Sequence, residues 1–213
     1  MNPILSEFDR ASSTYQAHSE VQQEIARALA NLLIEACPKP DTILELGCGT
    51  GNLTRLLAQQ YPSSRIEATD ASPSMLEEAR RLMDESQVKY SELVIDSNLR
   101  LDSDWDLIAS SMTLQWLKNL PQVIGRLADR AQTLAFALPI HGTFANWIEA
   151  HHKIGRLPGT REFVTADELR DACADYDCVM TTEDFPVHYH RPIDFVKNLH
   201  YIGGNAPRPG HRP

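Results

Sequence analysis

The residues best suited to chemistry occupy one glycine-rich stretch, Glu45-Leu46-Gly47-Cys48-Gly49-Thr50-Gly51. The apolar residues 43–46 predict a buried strand that ends at this stretch, and residues 52–60 carry leucines at helical spacing. At such a strand–turn–helix corner, glycines let the backbone approach a ligand closely, and the free amides of the helix N-terminus face it. The stretch therefore predicts a site for a nucleoside cofactor.

Two acidic residues flank this corner and indicate which nucleoside it takes. Asp70 ends the second predicted strand, residues 65–70, and follows the turn by about 19 residues, near the ~20 of a ribose-binding acid. Glu45 precedes the first glycine by two residues, where a carboxylate would repel a pyrophosphate and attract an ammonium group. The spacing G-x-G-x-G also differs from the G-x-G-x-x-G of dinucleotide sites. An alternative is that Glu45 pairs with a neighbouring Lys or Arg.

Strands and helices alternate through the middle of the chain, which predicts an α/β fold with a parallel sheet and helices on both faces. Further strands are expected within residues 88–95, at 105–110 and at 133–138, and a sixth at 178–189. Helices are expected at residues 19–37, 117–128, 144–154, 165–174 and 192–202. Ser72 and Pro73 open one more helix, as its cap and first-turn residue.

Composition excludes several classes of function. The chain has 213 residues, 42% of them hydrophobic, and a formal net charge of −9, which favours one domain without general affinity for nucleic acid. No apolar run reaches ~18 residues, and the N-terminus lacks a signal-peptide pattern, so we expect no membrane span and a cytoplasmic location. The cysteines Cys37, Cys48, Cys173 and Cys178 form no C-x-x-C pair and are expected as free buried thiols. His151, His152, His188 and His190 lack the further ligands of a metal site, and we expect none.

Two motifs carry a family resemblance. Residues 43–51 resemble the first motif of class I S-adenosylmethionine-dependent methyltransferases, and residues 70–76 resemble their second. The resemblance implies a Rossmann-like sheet that binds S-adenosylmethionine. In it, Glu45 would meet the ammonium group, Gly47, Gly49 and Gly51 would line the methionine and ribose, and Asp70 would hold the ribose. Asp96 would meet the adenine amino group, and Met75 would either pack near the adenine or serve ordinary helix packing.

Longer stretches narrow this resemblance. Residues 8–22 and 106–116 look like the malonyl-acyl-carrier-protein O-methyltransferases of biotin synthesis, and residues 142–144 and 198–205 fit the same family. The resemblance implies methyl transfer from S-adenosylmethionine to the free carboxylate of malonyl-acyl-carrier protein or malonyl-CoA. A carboxylate with a pKa of about 4 is already ionised at pH 7, so no general base is required.

The resemblance also places the substrate pocket. Residues 1–38 would form a helical lid on a single domain of residues 1–202. Tyr15 is expected to reach the transferred methyl group or the cofactor, with simple helix packing as its alternative, and Phe8 packs beside it. Gln115 and Trp116 follow the fourth strand, at the mouth where α/β sheets bind ligands, although Trp116 could equally belong to the core. Candidate cations for the carboxylate are Arg156, Arg161 and Arg191, which with Lys153 and Lys197 could form a basic docking face for the carrier protein.

The end of the chain departs from the family. The resemblance implies a last antiparallel strand, but residues 203–213 are rich in Gly and Pro and are expected to be disordered.

Three alternatives remain for the function of the protein. The acceptor could be another small carboxylate such as trans-aconitate, the protein could bind the cofactor without turnover, or it could be a nicotinamide-dependent dehydrogenase. The glycine spacing and Glu45 disfavour the last of these.

Overall fold

Five strands form one parallel sheet in the computed structural model, which describes residues 3–83, 87–96 and 98–205. The strands are β1 (Thr42–Leu46), β2 (Arg65–Asp70), β3 (Val88–Glu92), β4 (Trp105–Ser111) and β5 (Ala131–Ala137). Their spatial order is β3-β2-β1-β4-β5, so the chain leaves one half of the sheet after β3 and starts the other half at β4. This order confirms the predicted Rossmann-like class, and it places a crevice between the carboxyl ends of β1 and β4.

Eight α-helices and one 3₁₀ turn accompany the sheet in the described part of the chain. They are α1 (Pro3–His18), α2 (Glu20–Ala36), α3 (Asn52–Gln60), α4 (Pro73–Leu82), α5 (Leu120–Ala128), α6 (Ala145–Lys153), α7 (Ala166–Ala172) and α8 (Pro192–Tyr201), with the 3₁₀ turn at Leu114–Trp116. Each predicted helix is present with its ends shifted by a few residues. None of the helices described is long and apolar enough to cross a bilayer.

The side-chain alternation of β1 divides the core into two layers. Ile43 is fully buried against α2 and α3, whereas Leu44 and Leu46 are buried against α5 and α7 on the opposite face. Successive side chains of a strand point to opposite faces of the sheet, so a strand that is buried on both faces needs apolar residues at odd-numbered and at even-numbered positions. Glu45 has the parity of Ile43 and is therefore directed towards the α2–α3 layer, where it is the one charged residue of β1.

The predicted sixth strand is wrong. Within the described part of the chain, residues 178–189 form no strand, and no backbone hydrogen bond joins them to β5. Val179 is 84% exposed, and Val187 is exposed as well. A strand is stable only when its backbone groups pair and one face is buried, and this segment meets neither condition. The alternation of apolar residues was therefore not sufficient to form a strand here.

Two smaller expectations also need correction. Gly203 to Asn205 were expected to be disordered, but they form a turn in which Gly204 N–H donates to the Leu199 carbonyl at 2.8 Å. Gly203 adopts φ 67° and lies so close to Phe8 that a Cβ would stand 2.9 Å from its ring, so the turn packs on α1. Residues 206–213 lie outside the described residues. The cysteines are free, as expected, but only Cys37 and Cys48 are buried, while Cys178 is exposed.

Candidate functional site

The glycine stretch forms a tight left-handed turn at the carboxyl end of β1. Gly47, Gly49 and Gly51 have φ values of 71°, 55° and 90°, which residues with a side chain rarely adopt. Their surroundings differ. A Cβ on Gly47 would lie 2.1 Å from Oγ1 of Thr113, whereas a Cβ on Gly49 would meet nothing within 4 Å. Gly47 is thus required by packing within the protein, and Gly49 opens onto free space at the head of α3.

Asp70 ties the turn to the second strand. One carboxylate oxygen accepts from Gly49 N–H at 2.8 Å, and the other accepts from Ser72 N–H at 2.8 Å. Burial raises the pKa of Asp70, and the bonds from Ser72 and Gly49 partly offset that rise. Each oxygen retains further acceptor capacity, so the carboxylate can still take hydroxyl donors from a ligand.

Glu45 is buried beneath the same turn. It is 1% exposed, and its Oε2 atom has no hydrogen-bond partner among the described residues. Burial raises the pKa of Glu45 to about 8, because the neighbouring Thr54 offsets this rise only in part and the Asp70 carboxylate adds to it. The alternative prediction, that Glu45 forms an ion pair with a Lys or Arg, is wrong, because none of the ion pairs among the described residues includes Glu45. A buried carboxyl oxygen without a partner is costly unless a ligand supplies one.

The first helix lies across this turn and is held there by side chains. The hydroxyl of Ser72 donates to Asp9, the hydroxyl of Thr50 donates to the Gln16 amide oxygen at 2.8 Å, and the amide of Asn52 donates to Ser19 at 3.2 Å. The Thr14 hydroxyl also donates to the Tyr201 carbonyl at 2.8 Å, which joins α1 to α8. The N-terminal segment therefore contacts both motifs of the candidate site.

Tyr15 is brought to the site, on α1 and near Asp70. Burial, and after it the Asp70 carboxylate, raises the pKa of the Tyr15 hydroxyl well above its usual value. The phenol is therefore protonated at any physiological pH. It can donate a hydrogen bond or pack against a ligand, but it cannot serve as a base.

Phe8 and Trp116 meet at the mouth of the crevice. Their ring centroids lie 5.6 Å apart in an edge-to-face arrangement, and the guanidinium carbon of Arg161 lies 5.1 Å from the centre of the Trp116 ring. Gln115 donates to the Met112 carbonyl at 2.7 Å, and its Oε1 atom is buried without a described partner. Through these contacts, Trp116 joins α1 and Arg161 to the 3₁₀ turn that follows β4.

Met75 and Asp96 are placed differently. Met75 is 1% exposed in α4, and its backbone N–H donates to the capping hydroxyl of Ser72. Asp96 is exposed beyond β3, where its carboxylate accepts from Asn98 N–H at 2.7 Å. Contact of either residue with an adenine stays a prediction.

Several residues at the site were not singled out from the sequence. These residues contact the turn and the head of α3, the second motif, or Glu45; they are Asp9, Gln16, Ser19, Thr50, Thr54 and Thr113. All of them except Thr54 fall inside the stretches that carry the family resemblance, so a signal for them was present. Nothing in local sequence marked Thr54, because its role depends on how α3 packs over β1.

The residues fit the nucleoside that the resemblance implies. The buried Glu45 oxygen that lacks a partner can accept a hydrogen bond from an ammonium group. The open space beside Gly49 can admit the ligand chain, and the Asp70 carboxylate, which has acceptor capacity left, can bind ribose hydroxyls.

Comparisons with known proteins agree with this geometry. A methyltransferase domain profile matches residues 43–132. The malonyl-[acyl-carrier protein] O-methyltransferase of Geobacter sulfurreducens is 32% identical over 218 residues, which cover 95% of this chain and 81% of that protein. The biotin biosynthesis bifunctional protein BioCD of Bordetella avium is 31% identical over 99% of this chain, which spans only 45% of that longer protein.

A solved structure supports the fold alone. The magnesium protoporphyrin IX methyltransferase of Synechocystis, crystallised with bound SAH, superposes with a TM-score of 0.58 at 19% identity, covering 76% of this chain and 74% of that one. The identity of 32% to the Geobacter sulfurreducens enzyme, over 95% of this chain, shows that the protein belongs to the family of the malonyl-[acyl-carrier protein] O-methyltransferases, within the class I S-adenosylmethionine-dependent methyltransferases.

Proposed function

We propose that the protein methylates the free carboxylate of a malonyl thioester, carried by acyl carrier protein or by CoA, as in an early step of biotin synthesis. The observation that carries this proposal is the engagement of the ionisable groups described at the turn: Asp70 accepts two backbone N–H groups, and burial raises the pKa values of Glu45, Cys48 and Tyr15, so no free base faces an acceptor there. An acceptor that is already ionised needs no such base. The names of the relatives point to the same acceptor.

The ionisable groups around the turn support this conclusion one by one. Burial raises the pKa of Glu45 to about 8, so it holds its proton at neutral pH until a cation approaches. Burial also raises the pKa values of Cys48 and Tyr15 well above their usual ranges. Asp70 already accepts two backbone N–H groups, which commits it to positioning. A carboxylate acceptor is the simplest nucleophile for such a site.

Each cofactor-binding residue has one role in this proposal. Glu45 accepts from the ammonium group, the turn at Gly47, Gly49 and Gly51 admits the methionine chain and ribose, and Asp70 accepts from the ribose hydroxyls. Met75 packs beside the adenine, and Asp96 accepts from its amino group. S-adenosylmethionine, when bound, supplies a methyl carbon that leaves sulfur as the bond to the carboxylate oxygen forms, and both charges are cancelled.

The lid and the mouth complete the site. Tyr15 and Phe8 on α1, with Gln115 and Trp116 after β4, cover the reacting groups and exclude water. Since a charged donor and a charged acceptor become two neutral products, an apolar enclosure favours the reaction. With α1 held over the turn by Asp9 and Gln16, the bound donor and acceptor would be kept in line, and this alignment would contribute to the rate enhancement.

The test is a methyl-transfer assay with three acceptors. Purified protein and S-adenosylmethionine are incubated with malonyl-acyl-carrier protein, malonyl-CoA or trans-aconitate, and the methyl esters are measured by mass spectrometry. We expect ester formation on a malonyl thioester and its loss in Asp70→Ala, while Asp104→Ala, an exposed acid outside the site, stays active. Methyl ester formation on trans-aconitate alone would refute the proposal that a malonyl thioester is the acceptor. Cofactor binding without any methyl ester would indicate a catalytically silent relative.

A further inference from the structure

Three buried polar atoms at the mouth have no partner in the part of the chain that the structure describes. They are Oγ of Ser111, Oε1 of Gln115 and Nε1 of Trp116, all between the end of β4 and the 3₁₀ turn that follows it. Polar atoms buried in this way are normally satisfied by protein, water or ligand. Two of the three, the Ser111 hydroxyl and the Trp116 indole N–H, are donors, which suits an anionic ligand.

Arg161 supplies a positive charge at the same place. Its guanidinium carbon lies 5.1 Å from the centre of the Trp116 ring, and the residue is only partly exposed. No ion pair involving Arg161 is found among the described residues. A guanidinium stacked on an aromatic face keeps its N–H edge free, and that edge matches a carboxylate in a bidentate manner.

The other cations of the C-terminal third are less suitable. Lys153 pairs with Glu149 at 2.7 Å, and Arg191 pairs with Asp194 at 2.8 Å. Arg156 is exposed in the loop that follows α6. Arg161 alone among the sequence-based candidates combines partial burial with a described contact to a residue of the mouth.

The segment that carries Arg161 is joined to the core at Val164, whose side chain packs against the apolar cluster beneath α5 and α7. The carbonyl of Val164 accepts from His141 N–H at 2.8 Å, and α7 begins directly after it with a capping box between Thr165 and Glu168. On the other side, Trp116 packs against Phe8 of α1. The Arg161 guanidinium therefore lies next to Trp116, which in turn contacts α1.

We propose that Arg161, supported by Trp116, binds the free carboxylate of the acceptor. This inference rests on the proposed function for the identity of the acceptor, but the anion site itself stands on the contacts above. A carboxylate that approaches a site containing Asp70 is repelled by it and loses hydration, and a cation offsets both effects. Arg161 thereby selects acceptors with a free carboxylate over their neutral esters, including the reaction product.

The test measures anion binding without turnover. Malonate is titrated into ¹⁵N-labelled protein saturated with S-adenosylhomocysteine, and the indole N–H resonance of Trp116, assigned by its loss in Trp116→Phe, is followed. We expect a saturable shift in the wild type and in Arg156→Gln, the matched control in the same loop, and at least about a tenfold weaker response in Arg161→Gln, since hydrogen bonds to charged groups are strong. A wild type without a shift, or an unchanged Arg161→Gln, would overturn the inference.

Steady-state kinetics separate this inference from the proposed function. In Arg161→Gln the KM for the malonyl thioester should rise about tenfold or more, while the Kd of S-adenosylhomocysteine stays within about twofold. An unchanged KM alongside wild-type methylation would refute the role of Arg161 and leave the function intact. Conversely, Arg161-dependent malonate binding without ester formation on malonyl thioesters would refute the function and leave the anion site intact. Thermal melting of each variant checks that the fold is retained.

Discussion

The carboxylate of Asp70 accepts a hydrogen bond from the backbone N–H of Gly49 at 2.8 Å, and so joins the end of β2 to the turn after β1. Its other oxygen accepts from Ser72 N–H at the head of α4. The residue predicted to bind a ribose therefore also shapes the turn that receives it. Cofactor affinity and local stability are consequently coupled at this one side chain.

Removal of Asp70 should lower both quantities. Asp70→Ala deletes two bonds from buried N–H groups and the acceptor for the ribose hydroxyls, and each effect should cost about 2–3 kcal/mol. Calorimetry with S-adenosylhomocysteine and urea unfolding measure the two losses separately. Equal cofactor binding by wild type and Asp70→Ala would contradict the site assignment, and Asp104→Ala is the control for removal of an exposed acid.

Cofactor binding should release a proton through Glu45. The pKa of Glu45 is raised to about 8 by burial, so at pH 7 the free protein holds this proton, whereas an ammonium neighbour favours the ionised form. Calorimetry at pH 7 in buffers of different ionisation enthalpy should therefore report close to one proton released per S-adenosylhomocysteine bound. Glu45→Gln, which has no proton to release, should bind more weakly and show none. Release that persists in Glu45→Gln would assign the proton elsewhere.

The same residue predicts a pH dependence of folding. The unfolded chain loses the Glu45 proton at its ordinary pKa of 4.5, while the folded protein keeps it up to about 8. Between these values the unfolded state binds fewer protons, so Glu45 makes the free energy of unfolding fall as pH rises. Glu45→Gln should therefore gain stability relative to wild type between pH 5 and pH 8, as urea titrations would measure. A difference that is constant with pH would show that the carboxyl group ionises freely.

Alanine substitutions at Gly47 and Gly49 should affect stability and cofactor binding differently. Gly47→Ala adds a Cβ 2.1 Å from Thr113 in a left-handed conformation, and about 2–5 kcal/mol of stability should be lost. Gly49→Ala meets no protein atom within 4 Å, so only about 1–2 kcal/mol should be lost, but cofactor binding should fail because the methyl group fills the open space. Unfolding curves and calorimetry on both variants give the comparison. Undiminished cofactor binding by Gly49→Ala would place the ligand elsewhere.

The contact between Ser72 and Asp9 should control how firmly α1 is held against α4. Ser72→Ala removes both the cap of α4 and the donor to α1, which should cost about 1 kcal/mol and speed amide exchange in α1. Asp9→Ala should speed exchange in α1 while leaving the cap in place. Asp9→Asn keeps an acceptor oxygen and serves as the matched control. Exchange in α1 that is unaffected by both Ala variants would show that α1 is held by its apolar contacts alone.

The sequence by itself determined the sheet and the cofactor corner. The apolar runs of β1, β2 and β4, the glycine spacing and the cap at Ser72 are local signals, because they depend on backbone conformation and on the burial of neighbouring residues. Asp70 could be identified from its spacing to Gly51, and Glu45 from the conflict between its charge and its buried strand. These features therefore needed no knowledge of which distant segments meet.

The tertiary structure decided what depends on distant partners. Three features follow from packing between remote segments: residues 178–189 form no strand, Gly203 to Asn205 pack against Phe8, and the Arg161 guanidinium lies over Trp116. No local signal reports such contacts, since an exposed arginine and one stacked on Trp116 look alike in sequence. Conformation is encoded over a few residues, whereas a polar group's partner depends on how the whole chain closes around it.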